Sequence, residues 1–129
     1  VIHGVGIDLV RIARIEAALG RFGERFAERI LTRLEYASFQ RTRRRADFLA
    51  KHFAAKEAFA KALGTGFRQG VSWRQIEVRN DPRGRPYLTF GERVREVMER
   101  FDAGDCHLSL CDEDEYAAAT VTLLKKARP

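Results

Sequence analysis

The segment from Asp47 to Leu63 constrains the fold of this chain more than any other stretch. Ala55, Ala58, Phe59, Ala62 and Leu63 recur at i, i+3, i+4, i+7 and i+8, which lines one face of an α-helix with apolar side chains. At about 100° per residue, Glu57 falls almost opposite that face. An ordinary surface helix is polar there, but the helical neighbours of Glu57 are Phe53, Ala60 and Lys61, with Ala54 nearby. Such a helix is covered on both sides and suits a cleft wall or a subunit boundary. A carboxylate in that position needs a partner, because burying an unpaired charge is costly. Two partners are open: Lys61 one turn on, which makes a plain i, i+4 ion pair and is the simpler reading, or a metal ion. Asp47 is the expected N-cap, and Gly64 or Gly66 the stop.

The opening residues raise the same question. Val1, Val5, Ile7 and Leu9 alternate with Gly4, Gly6 and Asp8, which predicts a strand over Val1–Val10 with one apolar face and one face of glycines and a carboxylate. The glycines leave room for something to approach the backbone beside Asp8. Strands disfavour aspartate, so Asp8 either caps a helix that starts near Ile12 or meets a ligand. Two carboxylates with waters and substrate phosphates form a typical magnesium arrangement. In that arrangement Lys56 and Lys61 could meet the phosphates, and Gly64 and Gly66 could leave space for them, although a helix C-cap also explains the glycines.

The remaining elements follow from local signals. Ile12, Ile15 and Leu19 predict a first helix, and Phe22, Phe26 and Ile30 a second. Thr32-Arg33-Leu34-Glu35 is a capping box that starts a third helix, running into the arginines at 41–45. Gln75–Arg79 and Pro86–Phe90 predict a hairpin around the turn formers Asn80–Arg85. Glu92–Phe101 predicts a helix, and His107–Cys111 with Tyr116–Leu124 a final hairpin joined by the acidic turn Asp112–Glu115. The expected class is α+β, an antiparallel sheet packed with helices, in one domain over residues 1–129.

The net charge of +6 and pI near 9.8 favour an acidic partner without choosing one. No nucleic-acid motif accompanies the arginines, and aromatics do not interleave with them. No apolar run spans a membrane, the first residues do not read as a secretory signal, and Cys106 and Cys111 lack the pattern of a zinc site or a disulfide framework. A cytoplasmic protein is expected. Ser38, Ser72 and Ser109 sit in no nucleophile motif, the cysteines have no neighbouring base, and His3, His52 and His107 are scattered. Electrostatic activation by a metal therefore fits better than a covalent triad.

Four blocks together resemble the holo-acyl-carrier-protein synthases, a family of 4'-phosphopantetheinyl transferases. They are Gly6-Ile7-Asp8 with Arg14, Phe26–Thr32 followed by Glu35, Phe53–Gly66, and His107-Leu108-Ser109-Leu110 followed by Tyr116–Ala119. The resemblance runs from residue 2 to about residue 124, and the block at 53–66 is its most specific part. It implies transfer of phosphopantetheine from coenzyme A to a serine of acyl carrier protein, releasing adenosine 3',5'-bisphosphate, in fatty-acid biosynthesis. It implies Asp8 and Glu57 as magnesium ligands and Lys61 as a coenzyme A contact, with Lys56, Gly64, Gly66 and His107 as further candidates on the coenzyme A side. It also implies a homotrimer with active sites at subunit boundaries, and a first helix whose Arg14 and Arg21 dock the acidic carrier protein. Glu35 is a conceivable base, but its capping-box place favours a structural role. Many relatives carry Ser or Thr and then His where this chain has Cys111-Asp112, so a role for that histidine does not carry over.

Overall fold

The computed structural model describes residues 1–127; Arg128 and Pro129 lie outside the described residues. The chain runs β1 (Ile2–Arg11), α1 (Ile12–Phe22), α2 (Glu24–Ile30), α3 (Arg33–Arg41), α4 (Arg45–Leu63), a 3₁₀ turn (Trp73–Gln75), β2 (Ile76–Asn80), β3 (Pro86–Phe90), α5 (Glu92–Arg100), β4 (Ala103–Asp112) and β5 (Tyr116–Lys125). The α+β expectation holds, but the strands form two antiparallel sheets rather than one: β1-β5-β4, and the hairpin β2-β3. β5 is central, with Asp8 opposite Ala119 on one side of it and Leu110 opposite Ala119 on the other.

α4 is the axis of the molecule. Its alanines are strong helix formers, and it ends where Gly64 turns left-handed (φ 95°) and its N–H donates to Ala60 O at 3.0 Å. One side of α4 lies on β1, β5 and β4, while α1, α2, α3 and β2 pack around the rest. Ala55, Ala58, Phe59, Ala62 and Leu63 are all buried, as the periodicity predicts. Burial of Phe59 or Leu63 contributes about 1.5–3 kcal/mol each.

Three expectations change. The second covered face of α4 needs no other subunit, because Ala54 and Ala60 are buried by the chain's own elements and Phe53 packs against Trp73. Asp47 is not the N-cap; Arg44 occupies that position, and Asp47 sits in the first turn, paired with Arg44 at 2.6 Å. Phe22, read with Phe26 and Ile30 as part of a second helix, is instead the last residue of α1 and is 57% exposed. The capping box is as read: the Glu35 N–H donates to Thr32 Oγ1, and the Thr32 N–H donates to Glu35 Oε1.

Candidate active site

The close approach of β1 to α4 builds the site. A Cβ on Gly4 would stand 2.0 Å from Ala62 O, and one on Gly6 would stand 1.9 Å from Ala58 O. The room left by the glycines is thus filled by α4 backbone, which brings Glu57 and Lys61 up to Asp8. Lys61 Nζ donates to Asp8 Oδ1 at 3.0 Å and to Ile7 O at 2.9 Å. The ammonium therefore pairs across the strand–helix seam with Asp8 instead of along the helix with Glu57. Asp8 does not cap α1, whose N-cap is Arg11.

The carboxylates are left under-satisfied. Asp8 Oδ2 is buried with no hydrogen-bond partner, an expensive state for a charged oxygen. Glu57 is half-buried, and its pKa is raised above the usual carboxylate value, first by desolvation and then by the negative charge of Asp8, with Lys61 pulling the other way. Two adjacent carboxylates, one with an orphaned oxygen, fit a hard divalent cation that takes its remaining ligands from water and phosphate. Among the described residues no group of three or more His, Cys, Asp or Glu side chains could hold a metal. That excludes an all-protein cage there, a form magnesium seldom takes.

Lys56 stands apart from this cleft, and its assignment to the phosphates is corrected. It is fully buried, and its ammonium donates to Ile30 O and to Glu35 Oε1, both at 2.6 Å. A lysine held in this way is out of reach of a surface ligand. Glu35 is likewise committed: Oε1 also accepts from Thr32 N at 2.8 Å, and Oε2 accepts from Val78 N at 2.6 Å. It is a poor candidate for a base.

Gly64 and Gly66 border open space at the end of α4, three and five positions after Lys61. His107 is exposed and in register with Thr122 and, through it, Val5. That row lies on the outward side of the sheet, opposite to Asp8, so one chain does not bring His107 to the carboxylates. His107 instead lines a recess of about 250 Å³ with Asp81, Arg85, Pro86, Tyr87, Cys106 and Leu108. A larger recess, about 450 Å³, lies between β3, α5 and β4, and neither recess is lined by Asp8, Glu57 or Lys61. Arg14 and Arg21 are exposed on α1, with the Arg21 guanidinium 5.2 Å from the ring of Phe22.

Cys106, His52 and His3 are held by their structural surroundings. Burial pushes the Cys106 thiol up to about 12. The His52 ring stacks on Phe48, and its Nδ1 is 2.8 Å from Phe48 O. His3 Nε2 meets Leu63 O at 2.9 Å, at the end of α4.

Residues 4–121 match the model of the 4'-phosphopantetheinyl transferase superfamily. The holo-acyl-carrier-protein synthase of Bordetella pertussis is 49% identical, over 99% of this chain and 86% of that protein. The chain belongs to the holo-acyl-carrier-protein synthase family. The synthase of Pectobacterium carotovorum is also 49% identical, over 93% of this chain and 95% of its own. The crystal structure of the Neisseria meningitidis synthase superposes with a TM-score of 0.93 at 40% identity, covering 97% of this chain and all (100%) of that one. The Helicobacter pylori synthase, solved in complex with coenzyme A, gives 0.80 at 32% identity over 92% and 98% of the two chains. No helix among the described residues is long and apolar enough to cross a membrane.

Two features were missed from the sequence. The Glu35–Lys56 pair joins residues 21 positions apart and leaves no periodic trace. The apolar face of β1 turns outward: Val5, Ile7 and Leu9 are 60%, 64% and 65% exposed. The clue was available, because a strand face of glycines is the one that can pack closely on a helix.

Proposed function

We propose that this chain transfers the 4'-phosphopantetheine group from coenzyme A to a serine of apo acyl carrier protein, giving the holo carrier and adenosine 3',5'-bisphosphate. The observation that carries the reading is the under-satisfied Asp8–Glu57 pair with Lys61 beside it, in a member of this family. The bond from the carrier serine oxygen to phosphorus forms as the bond from phosphorus to the nucleotide oxygen breaks, that oxygen leaves with the electron pair, and the serine proton passes to water or to a carboxylate of the site. The chain supplies no nucleophile of its own, which agrees with the inert or dispersed Cys, Ser and His side chains.

Asp8 and Glu57 would hold magnesium, which when bound supplies positive charge to the pyrophosphate and to the leaving nucleotide. Lys61 is long and 54% exposed, so its ammonium can reach a phosphate as well as Asp8. The open ground at Gly64 and Gly66 leaves the nucleotide room beside it. Positioning and charge neutralisation do most of the work, as in phosphoryl transfer generally. Exposed Arg14 and Arg21 offer a basic docking face to the acidic carrier.

The chain is further proposed to act as a homotrimer in the cytoplasm, in fatty-acid biosynthesis. Support for assembly comes from the outward side of the three-stranded sheet, where Val5, Ile7 and Leu9 lie in register with Thr122, Thr120 and Ala118. A closed ring would cover that apolar row. The separation of His107 from the carboxylates within one chain supports coenzyme A bound between subunits, with His107 contributed across the boundary.

The test is mass spectrometry of apo carrier protein incubated with coenzyme A, magnesium and this protein. A gain of one phosphopantetheine, lost when magnesium is chelated, is expected. No gain over a broad enzyme range would remove the reading.

A further inference from the structure

α4 carries its polar control on two sides. On the cleft side it presents Glu57 and Lys61 to Asp8. One residue earlier, about 100° round the helix, Lys56 reaches into a different side and is completely buried. Its ammonium donates to the carbonyl of Ile30, the last residue of α2, and to Glu35 in the first turn of α3. Glu35 accepts in addition from the backbone N–H of Thr32 and, through its other oxygen, from the backbone N–H of Val78 in β2. One ion pair thus ties α4 to the ends of α2 and α3 and to the second sheet.

Much of the rest of the buried α4 surface is small: Ala50, Ala54, Ala55, Ala58, Ala60 and Ala62 are buried among the larger Leu49, Phe59 and Leu63. The alanines fill space without indexing rotation, and the seam with β1 is a close backbone contact at Gly4 and Gly6. The large apolar side chains hold α4 in the core by non-directional packing. On the side away from the cleft, direction comes from hydrogen bonds of 2.6 Å to a backbone carbonyl and a fixed carboxylate. Stability alone does not call for a buried ion pair here, since apolar residues of similar volume usually serve as well.

We infer that Lys56 and Glu35 are positioning residues for the transfer reaction: their buried pair sets the rotation of α4 that holds Glu57 against Asp8. This rests on the reading of Asp8 and Glu57 as the cation and coenzyme A site. Outer partners of a metal site commonly change affinity or activity by about 10- to 100-fold when removed. A misplacement of about 1 Å in a reacting constellation can cost about 100-fold.

The test compares the full chain with the double variant Glu35→Leu, Lys56→Met, which removes both charges together but leaves the backbone N–H groups of Thr32 and Val78 and the carbonyl of Ile30 without these side-chain partners. The double variant is expected to remain folded with a lowered melting temperature. Its kcat for transfer should fall about 10- to 100-fold, with KM for coenzyme A changed much less. Its Mn²⁺ affinity, read by the electron paramagnetic resonance of free Mn²⁺, should weaken by about tenfold or more. A crystal structure should show the Glu57 carboxylate displaced from Asp8. Wild-type kcat and Mn²⁺ affinity in a folded double variant, or an unmoved Glu57, would overturn the inference. So would loss of the fold, because the pair would then be holding the core together and not indexing the helix. A wild-type protein that neither binds Mn²⁺ nor transfers the group would remove the functional reading instead. The position of Glu57 in the double variant would still decide the positioning claim.

Discussion

Two of the lysine–carboxylate pairs on α4, Lys56–Glu35 and Lys61–Asp8, differ in burial and in how far their carboxylates are satisfied. Lys56–Glu35 has side chains 0% and 2% exposed, and both carboxylate oxygens of Glu35 are hydrogen-bonded. Lys61–Asp8 has the lysine 54% exposed and leaves Asp8 Oδ2 buried without a partner, beside a second carboxylate. Two lysines five positions apart in one alanine-rich helix thus do opposite things. A fully satisfied buried pair has nothing left to offer a ligand. An under-satisfied pair at a surface has an oxygen, a neighbouring charge and a mobile ammonium to offer. Under-satisfaction of two neighbouring carboxylates, more than residue type, is the ground for proposing Asp8 and Glu57 as the site.

The comparison breaks first on activity. Asp8→Asn and Glu57→Gln should each cost at least about 100-fold in transfer while the circular dichroism spectrum is kept, because amides are poor ligands for a hard cation. Near-normal turnover of both variants at low magnesium would put the chemistry elsewhere.

Stability sharpens it next. Lys56→Met alone leaves Glu35 buried and unpaired and should cost about 3–5 kcal/mol. Lys61→Met breaks a pair whose lysine is 54% exposed but whose Asp8 is only 15% exposed, and should cost less, about 1–3 kcal/mol. Urea unfolding of the two variants side by side measures the contrast, and equal losses would erase it. Gly6→Ala tests the seam itself: its methyl group would stand 1.9 Å from the backbone oxygen of Ala58, so β1 or α4 must shift, and the cost should be at the top of the overpacking range or above it, about 3 kcal/mol or more.

The pH dependence is a subtler effect with a definite sign. The pKa of Glu57 is raised in the folded chain, by desolvation first and by Asp8 second. The folded state therefore holds that proton to higher pH than the unfolded state does. The favourable contribution is fully present below the unfolded pKa and is lost as pH rises through the folded value. Glu57→Gln should thus be at least as stable as the wild type at neutral pH, with the difference shrinking as pH falls through the carboxylate range. A Glu57→Gln protein that is less stable at neutral pH, measured in the same urea titrations, would contradict this.

The smallest stability effect belongs to α1. Arg14→Glu with Arg21→Glu should leave the fold within about 0.5 kcal/mol. It should weaken carrier-protein binding, more at low salt than at high, and spare coenzyme A binding. Equal losses for both ligands would count against a docking helix.

Much of this arrangement was legible in the sequence. The capping box at Thr32–Glu35, the buried stripe of α4 and its stop at Gly64 are local patterns, set by neighbours within a few residues. Asp8 was conspicuous because strands disfavour aspartate. The missing parts all depend on distant contacts. Nothing within a turn of Lys56 says that Glu35 and Ile30 wait on its side of the helix, so it read like Lys61. Nothing in the alternation of β1 says which face meets α4. The backbone contacts at Gly4 and Gly6 decide that, and they turn Val5, Ile7 and Leu9 outward. Ala54 and Ala60 left a cleft wall and a subunit boundary both open because the elements that cover α4 are spread over the whole chain.

Calorimetric titration of magnesium into the coenzyme A-saturated protein tests the central claim most directly. The wild type should take up one cation per chain, and Asp8→Asn should lose that uptake while remaining folded. Unchanged uptake by a folded Asp8→Asn, or none by the wild type, would contradict the assignment of the under-satisfied carboxylates as the cation site.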